Sequence, residues 1–322
     1  MKFWLALLAL SFALAAHAQP YSFAAFGDMP YNDEERAEIP GMLREMAATG
    51  VRFGVHLGDF KSGNEPCSDA LYLDREQLFA SAAFPLVYTP GENDWISCQR
   101  RTSGNREPRE RLQALRDLFF TQTAIAAKTG MQIEQQNEID FNFGANAEHL
   151  RWRSDGVLFV TLNVPGNNNN WGVGRVNGSR EYQTRMAAVG DWIEKSFAIA
   201  KRESLKAVVL LMHANPDFEA WSEGKPTRGF GGLLDQIREE LGNYPGEVLL
   251  IHGDTHVMRS DRPIKDSSGA VIRRFRRLEV YGSPIPGWVE VKVDPEGERL
   301  FRLVNHPLQP DANQLDQLTP DQ

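Results

Sequence analysis

Short apolar runs alternate with longer amphipathic stretches along the chain, and most of the apolar runs stop at Gly, Asp, His or Pro. Brief runs rich in β-branched and aromatic residues predict strands, and longer stretches with a three-to-four-residue apolar period predict helices. Residues 21–26 thus form a predicted strand ending at Gly27-Asp28, and 34–49 a helix that Gly50 stops. A second strand, 53–57, ends at Gly58-Asp59. A helix over about 68–81 leads through Phe84-Pro85 into a third strand, 86–89, which runs into Pro90-Gly91-Glu92-Asn93-Asp94-Trp95. Beyond an Arg-rich loop, Pro108 opens another helix.

The later half repeats the alternation. Candidate strands at 150–153 and 157–162 precede a polar loop, Gly166 to Asn170, and a helix over 179–202. Residues 207–212 read as a strand buried on both faces that ends in His213, and 233–241 as a helix stopped by Gly242. The strand 247–251 runs into His252-Gly253-Asp254-Thr255-His256. Strands at 277–281, 288–293 and 300–304, with a turn at Asp294-Pro295-Glu296-Gly297, predict a hairpin-rich finish. The alternation of elements predicts a layered α/β protein, with no repeat and no linker dividing it.

The two ends read differently from the body. Met1-Lys2, an apolar run from Phe3 to Ala16 and then Ala16-His17-Ala18 have the order of a secretory signal, with cleavage expected after Ala18. From Pro307 the sequence is rich in Gln, Asp and Pro, as in a disordered tail. The expected organisation is a signal peptide at 1–18, one domain at 19–306 and a tail at 307–322, in an exported (periplasmic or secreted) protein without a further membrane-spanning segment. Without the leader, 34 basic face 43 acidic residues, a balance that argues against a general partner among nucleic acids or anionic membranes. Cys67 and Cys98 are the two cysteines, and in an oxidising compartment a disulfide is their natural pairing. Asn177-Gly178-Ser179 fits a glycosylation sequon of a kind that arises by chance.

In a sheet covered on both faces, ligands gather beyond the carboxyl ends of the strands. The polar residues at those positions are Asp28, Asp59, Glu92 with Asn93, His213, and Asp254 with His256. Singly, each has a structural explanation as a turn residue or a hydrogen-bonding strand end. Together, mixed carboxylate, amide and imidazole donors suit a pair of divalent ions such as Mn, Fe, Zn or Mg. Such a pair polarises a phosphoryl group and lowers the pKa of a water, so hydrolysis of a small phosphorylated substrate by a metal-bound hydroxide is the expected chemistry. Lys61, Arg100 and Arg101, and the Asn167 to Asn170 loop, are the candidate substrate contacts. Trp95 is expected to pack, and His56 and His252 to hydrogen-bond behind the ligands.

These motifs resemble the calcineurin-like metallophosphoesterases, whose pattern is D-x-H, G-D-x-x-x-x-G, G-N-H-D/E, a lone His, and G-H-x-H. Gly27-Asp28-Met29-Pro30 stands in the first place, Gly58-Asp59-Phe60-Lys61-Ser62-Gly63 in the second, Gly91-Glu92-Asn93-Asp94 in the third, His213 in the fourth and Gly253-Asp254-Thr255-His256 in the fifth. The resemblance covers nearly the whole chain after the leader. It implies a four-layer α-β-β-α sandwich with two metals, Asp59 bridging them, Asp28 and His256 on the first ion and His213 on the second.

The departures also carry information. Pro30 replaces the first motif's His, removing one ligand, and Gly63 comes one residue early. Counted from Gly91, Glu92 takes the family's Asn ligand position and Asn93 that of the His that helps protonate the leaving group; counted by residue type, Asn93 is the ligand. Asp254 stands for a His. A cage with more carboxylates favours Mn or Mg over Zn relative to the family's usual site. A catalytically degraded binding protein is the alternative, and a carboxylate-pair glycosidase is disfavoured by His213 and His256.

Overall fold

The computed structural model describes residues 19–172, 177–266 and 268–308. The expected leader and the tail from 309 lie outside the described residues. The strands are β1 (Tyr21–Phe26), β2 (Gly54–His56), β3 (Leu86–Tyr88), β4 (Glu134–Gln135), β5 (Leu150–Ser154) and β6 (Val157–Thr161). They continue with β7 (Ala207–Leu211), β8 (Glu247–His252), β9 (Arg259–Asp261), β10 (Phe275–Glu279), β11 (Gly287–Val293) and β12 (Phe301–Pro307). One sheet has the order β12-β11-β1-β2-β3 and the other β4-β5-β6-β7-β8-β10-β9. Strands β1 to β3 are mutually parallel, as are β6, β7, β8 and β10, while β4, β5, β9, β11 and β12 join antiparallel at the flanks.

The strands that lack polar alternation serve two cores. Along β7, Ala207, Val209 and Leu211 join the core between the sheets, whereas Val208 and Leu210 join a second core beneath helices. Both faces are therefore apolar, and the sequence reads as a continuous run. Phe159 of β6 meets Phe23 and Phe53 of the other sheet edge-on at 5.2 and 5.1 Å between ring centres, which closes the inter-sheet layer. Helices Asp33–Thr49 and Asp69–Ala80 cover the first sheet; Arg180–Arg202 and Gly231–Asn243 cover the second through Val189, Trp192, Phe197, Leu234 and Ile237. The result is an α-β-β-α sandwich of four layers.

Local signals act where the sequence places them. Asn32 caps helix Asp33–Thr49 by accepting from the Glu35 amide, and Gly50 ends it at φ 78°. Ser68 and Ser179 cap the next helices in the same way. Two expectations differ. Gly242 lies inside helix Gly231–Asn243 rather than ending it, because Leu241 beneath it is buried in the second core. The strand expected at 277–281 is β10, Phe275–Glu279; it forms no hairpin with β11 but lies parallel to β8 in the other sheet. β12 extends through Pro307, which pairs with Gly287, so order continues past the expected domain end at 306.

Candidate metal centre

The carboxyl ends of β1, β2 and β3 in one sheet meet those of β7 and β8 in the other along a single rim. Backbone hydrogen bonds hold the ends in register: Asp28 N donates to Gly58 O at 2.9 Å, and Gly253 N to His213 O at 2.9 Å. At this rim hydrogen bonds cross between the sheets, among them His213 Nδ1 to Leu57 O at 2.8 Å and the Asp254 amide to Asp28 Oδ2 at 3.0 Å. Asp28, Asp59, Asp254 and His256 all have left-handed backbones, with φ of 53°, 53°, 82° and 62°. Left-handed φ is costly for residues with a Cβ and collects at functional sites. Each chain reversal turns its side chain back over the rim.

Two overlapping groups of ligand-type atoms result: Asp28, Asp59 and His213, and Glu92, His213 and Asp254, each with atoms within 4.8 Å of one another. His213 Nε2 lies 2.8 Å from Glu92 Oε2 and 3.6 Å from Asp59 Oδ2; His256 Nε2 lies 3.4 Å from Asp28 Oδ1. Both imidazoles use Nδ1 on a carbonyl, Leu57 O for His213 and Ser283 O for His256, which directs the Nε2 lone pair into the cluster. Burial and then the Glu92 charge push the Asp59 carboxyl well above the usual range. Burial likewise pushes Asp254 up to about 7. Burial opposes the charge on His213, but Asp59, Glu92 and Asp28 together raise it well above the imidazole range. Buried carboxylates this close repel unless protons or a cation lie among them. Asp28 Oδ1 is buried without a hydrogen-bond partner, as expected of an atom that ligates an ion, whereas His213 Nε2 is paired with Glu92. The donor set fits a pair of divalent ions.

No family model matches the chain, and no curated protein matches it in sequence. Among solved structures, a dimetal phosphatase from Danio rerio is similar at TM-score 0.51 and 12% identity, with 89% of this chain and 100% of that one covered. The fold is that of the calcineurin-like metallophosphoesterases. Two others are similar at lower score: a purple acid phosphatase from yellow lupin (Lupinus luteus) seeds, at TM-score 0.49, 12% identity and coverage of 89% and 54%, and GAP50, the anchor in the inner membrane complex of Plasmodium, at 0.48, 10% and 91% and 90%.

Glu92 and Asn93, the two residues open in the third motif, point in different directions. Glu92 faces His213, and its Oε2 also accepts from the Gly166 amide at 2.8 Å. A Cβ on Gly166 would stand 2.4 Å from that carboxylate, so the approach requires glycine. Asn93, expected as a ligand and catalytic group, turns its carboxamide elsewhere and accepts from Ser97 Oγ at 3.0 Å; only its amide reaches the cluster, donating to Asp59 Oδ1 at 2.8 Å. Lys61, expected as a substrate contact, is buried, and its ammonium donates to Ser62 O and Asn93 O at 2.7 and 2.9 Å, bracing the motif loops. Arg100 is exposed and donates to Gly63 O at 3.3 Å, and Arg101 is exposed on the neighbouring turn; neither is brought to the cluster. Cys67 and Cys98 form the expected disulfide, tying the second and third motif loops together. His56 and His252 are buried on the carbonyls of Met29 and Gly253, and Trp95 is buried in the core.

The sequence reading missed Tyr31, Arg228 and the Gly166 amide. A cleft of about 630 Å³ beside Asp254 is lined by Asn167, Asn168, Asn215, Arg228 and Thr255. The Asn167 to Asn170 loop is a left-handed turn with φ between 51° and 54°, held by Asn169 through Arg185 and the Gly229 carbonyl. Its rigidity was invisible in a polar tract; four consecutive Asn, the residue type after Gly that best tolerates left-handed backbone, were the available signal.

Proposed function

We propose that the chain hydrolyses phosphomonoesters or phosphodiesters, with two divalent ions held by Asp28, Asp59, Glu92, His213, Asp254 and His256. The observation that carries this reading is the pair of overlapping clusters, Asp28 with Asp59 and His213 and Glu92 with His213 and Asp254, each with ligand-type atoms within 4.8 Å of one another, in which Asp28 Oδ1 is buried and without a hydrogen-bond partner. Ions bound there supply Lewis acidity toward a phosphoryl oxygen and lower the pKa of an attacking water. Asp59, whose Oδ2 lies 3.6 Å from His213 Nε2, would be the carboxylate common to both ions. The Gly166 amide orients Glu92, and the Leu57 and Ser283 carbonyls fix the imidazole tautomers. Arg228, at the cleft, offers a guanidinium fork for phosphate oxygens, with Asn167 and Thr255 as uncharged partners. Export is part of the proposal and is supported by the disulfide; no helix among the described residues is long and apolar enough to cross a membrane.

Asn93 gives this reading a distinctive test. Its carboxamide has no proton to yield to a departing alkoxide, so the rate depends on how readily the leaving group departs unaided. Metal-reconstituted protein is expected to cleave p-nitrophenyl phosphate or its bis-ester at least a hundredfold faster than the corresponding alkyl esters. Chelation abolishes both activities, and His213→Ala is expected to lower kcat/KM by a thousandfold or more. A binding protein that keeps the fold is favoured by Pro30 and Asn93; it predicts metal uptake with no cleavage of any of these esters.

A further inference from the structure

Pro30 removes a ligand from the first metal position, and the residue after it reaches the same place. Tyr31 Oη lies 3.3 Å from Asp59 Oδ2 and 3.3 Å from His256 Nε2, while His256 Nε2 lies 3.4 Å from Asp28 Oδ1. These separations are long for hydrogen bonds, since O–H···O contacts centre near about 2.7–2.8 Å. They match another geometry. Ligand atoms about 2.0–2.1 Å from one ion stand about 2.9 Å apart at a right angle and about 3.5 Å apart at 120°, so 3.3–3.4 Å falls within the span of donors sharing an ion of four to six ligands. Resting on the metal-centre reading above, we propose that the phenolic oxygen of Tyr31 is a metal ligand, completing a first site with Asp28, Asp59 and His256.

The surroundings hold Tyr31 for that role. Its amide donates to Glu35 Oε2 at 2.7 Å, and Glu35 Oε1 accepts from Ser283 Oγ at 2.6 Å. The carbonyl of the same Ser283 takes Nδ1 of His256, so one hydrogen-bonded frame orients both the phenol and the imidazole. The Tyr31 ring also meets His256 edge-on, with centres 5.4 Å apart. Fixed outer partners of this kind are how metal ligands are held in orientation. The resulting site has three oxygen donors and one nitrogen, and a phenolic oxygen is a hard donor that favours a hard ion, ferric iron above all, over zinc. On ligation the phenolic proton passes to solvent.

The test is a titration of chelator-stripped protein with ferric ion, followed by visible absorption and by metal analysis after dialysis. The wild-type chain is expected to develop a phenolate-to-iron charge-transfer band that saturates at one iron per chain, with tyrosinate vibrations in its resonance Raman spectrum. Tyr31→Phe is expected to lose the band and to retain about one tightly bound ion in place of two. Uptake of two ions by wild type without such a band, or a band that survives in Tyr31→Phe, overturns the assignment while leaving the metal centre standing. Failure of the wild type to bind any ion overturns the metal-centre reading with it. The Raman arm uses the unaltered chain and decides the question even if the variant does not fold.

Discussion

Asp94 accepts four hydrogen bonds: from the amides of Asp59, Phe60 and Gly91 and from the Tyr88 hydroxyl, at 2.7 to 3.0 Å. It fixes the loops that carry Asp59 and Glu92. Asp94→Ala leaves buried donors unmatched and is expected to cost about 3 kcal/mol in chemical denaturation, with metal affinity falling about 10- to 100-fold by titration. Gly91 makes a second residue-scale prediction. A Cβ there would stand 2.1 Å from Asp59 Oδ1, so Gly91→Ala is expected to displace that carboxylate and reduce metal stoichiometry, read by metal analysis of folded variant. Asp28, Asp59, Glu92, His213, Asp254 and His256, the residues proposed as ligands, could be picked out together because strand ends announce themselves as breaks in apolar runs. The Glu92 and Asn93 choice was not, since the Gly166 amide that selects Glu92 lies 74 residues away. Lys61 was misread because sequence shows a charge and not its burial.

Among the elements, the segment leading into β5 (Leu150–Ser154) depends most visibly on ionised groups. Glu148, fully buried, pairs with Arg116 at 2.7 Å and accepts from Asn163 Nδ2 at 2.8 Å. Burial alone would raise this carboxyl, but the Arg116 guanidinium holds it down at about 2. A depressed carboxylate contributes stability that is present above its unfolded value near 4.3 and is lost as pH falls toward 2, on the order of 3 kcal/mol. Burial also lowers neighbouring His149 to about 4, so the unfolded chain takes up that proton first and stability falls between about pH 6.5 and 4. Denaturation as a function of pH is expected to show both losses. Glu148→Gln is expected to lower stability at pH 7 and to remove the part of the slope below about pH 4.5. Strands such as β7 were readable from composition alone. The pairing of β10 with β8 was not, because a parallel partner is fixed by the whole sheet and leaves no turn signature between the two strands.

At the scale of the whole molecule, two sheets bring five strand ends to one rim, and the Cys67–Cys98 disulfide fastens two of the motif loops there. The bridge spans 31 residues, for which the chain-entropy estimate gives about 3–4 kcal/mol. Cys67→Ser with Cys98→Ser is expected to lose that much stability and also to weaken metal binding, whereas a purely entropic crosslink would leave the metal affinity unchanged. The layered α/β class followed from the alternation of elements and the four-layer order from the resemblance to a known pattern, whereas the cleft beside Asp254 arises only when Asn167 and Arg228 are brought together by the second sheet's loops. The central claim is that the rim holds a two-ion centre, and the most direct measurement is metal analysis of the purified chain, reconstituted with Mn, Fe, Zn or Mg and dialysed. About two ions per chain are expected for the wild type and near none for Asp59→Ala with His213→Ala. Failure of the folded wild-type protein to retain any ion would contradict it.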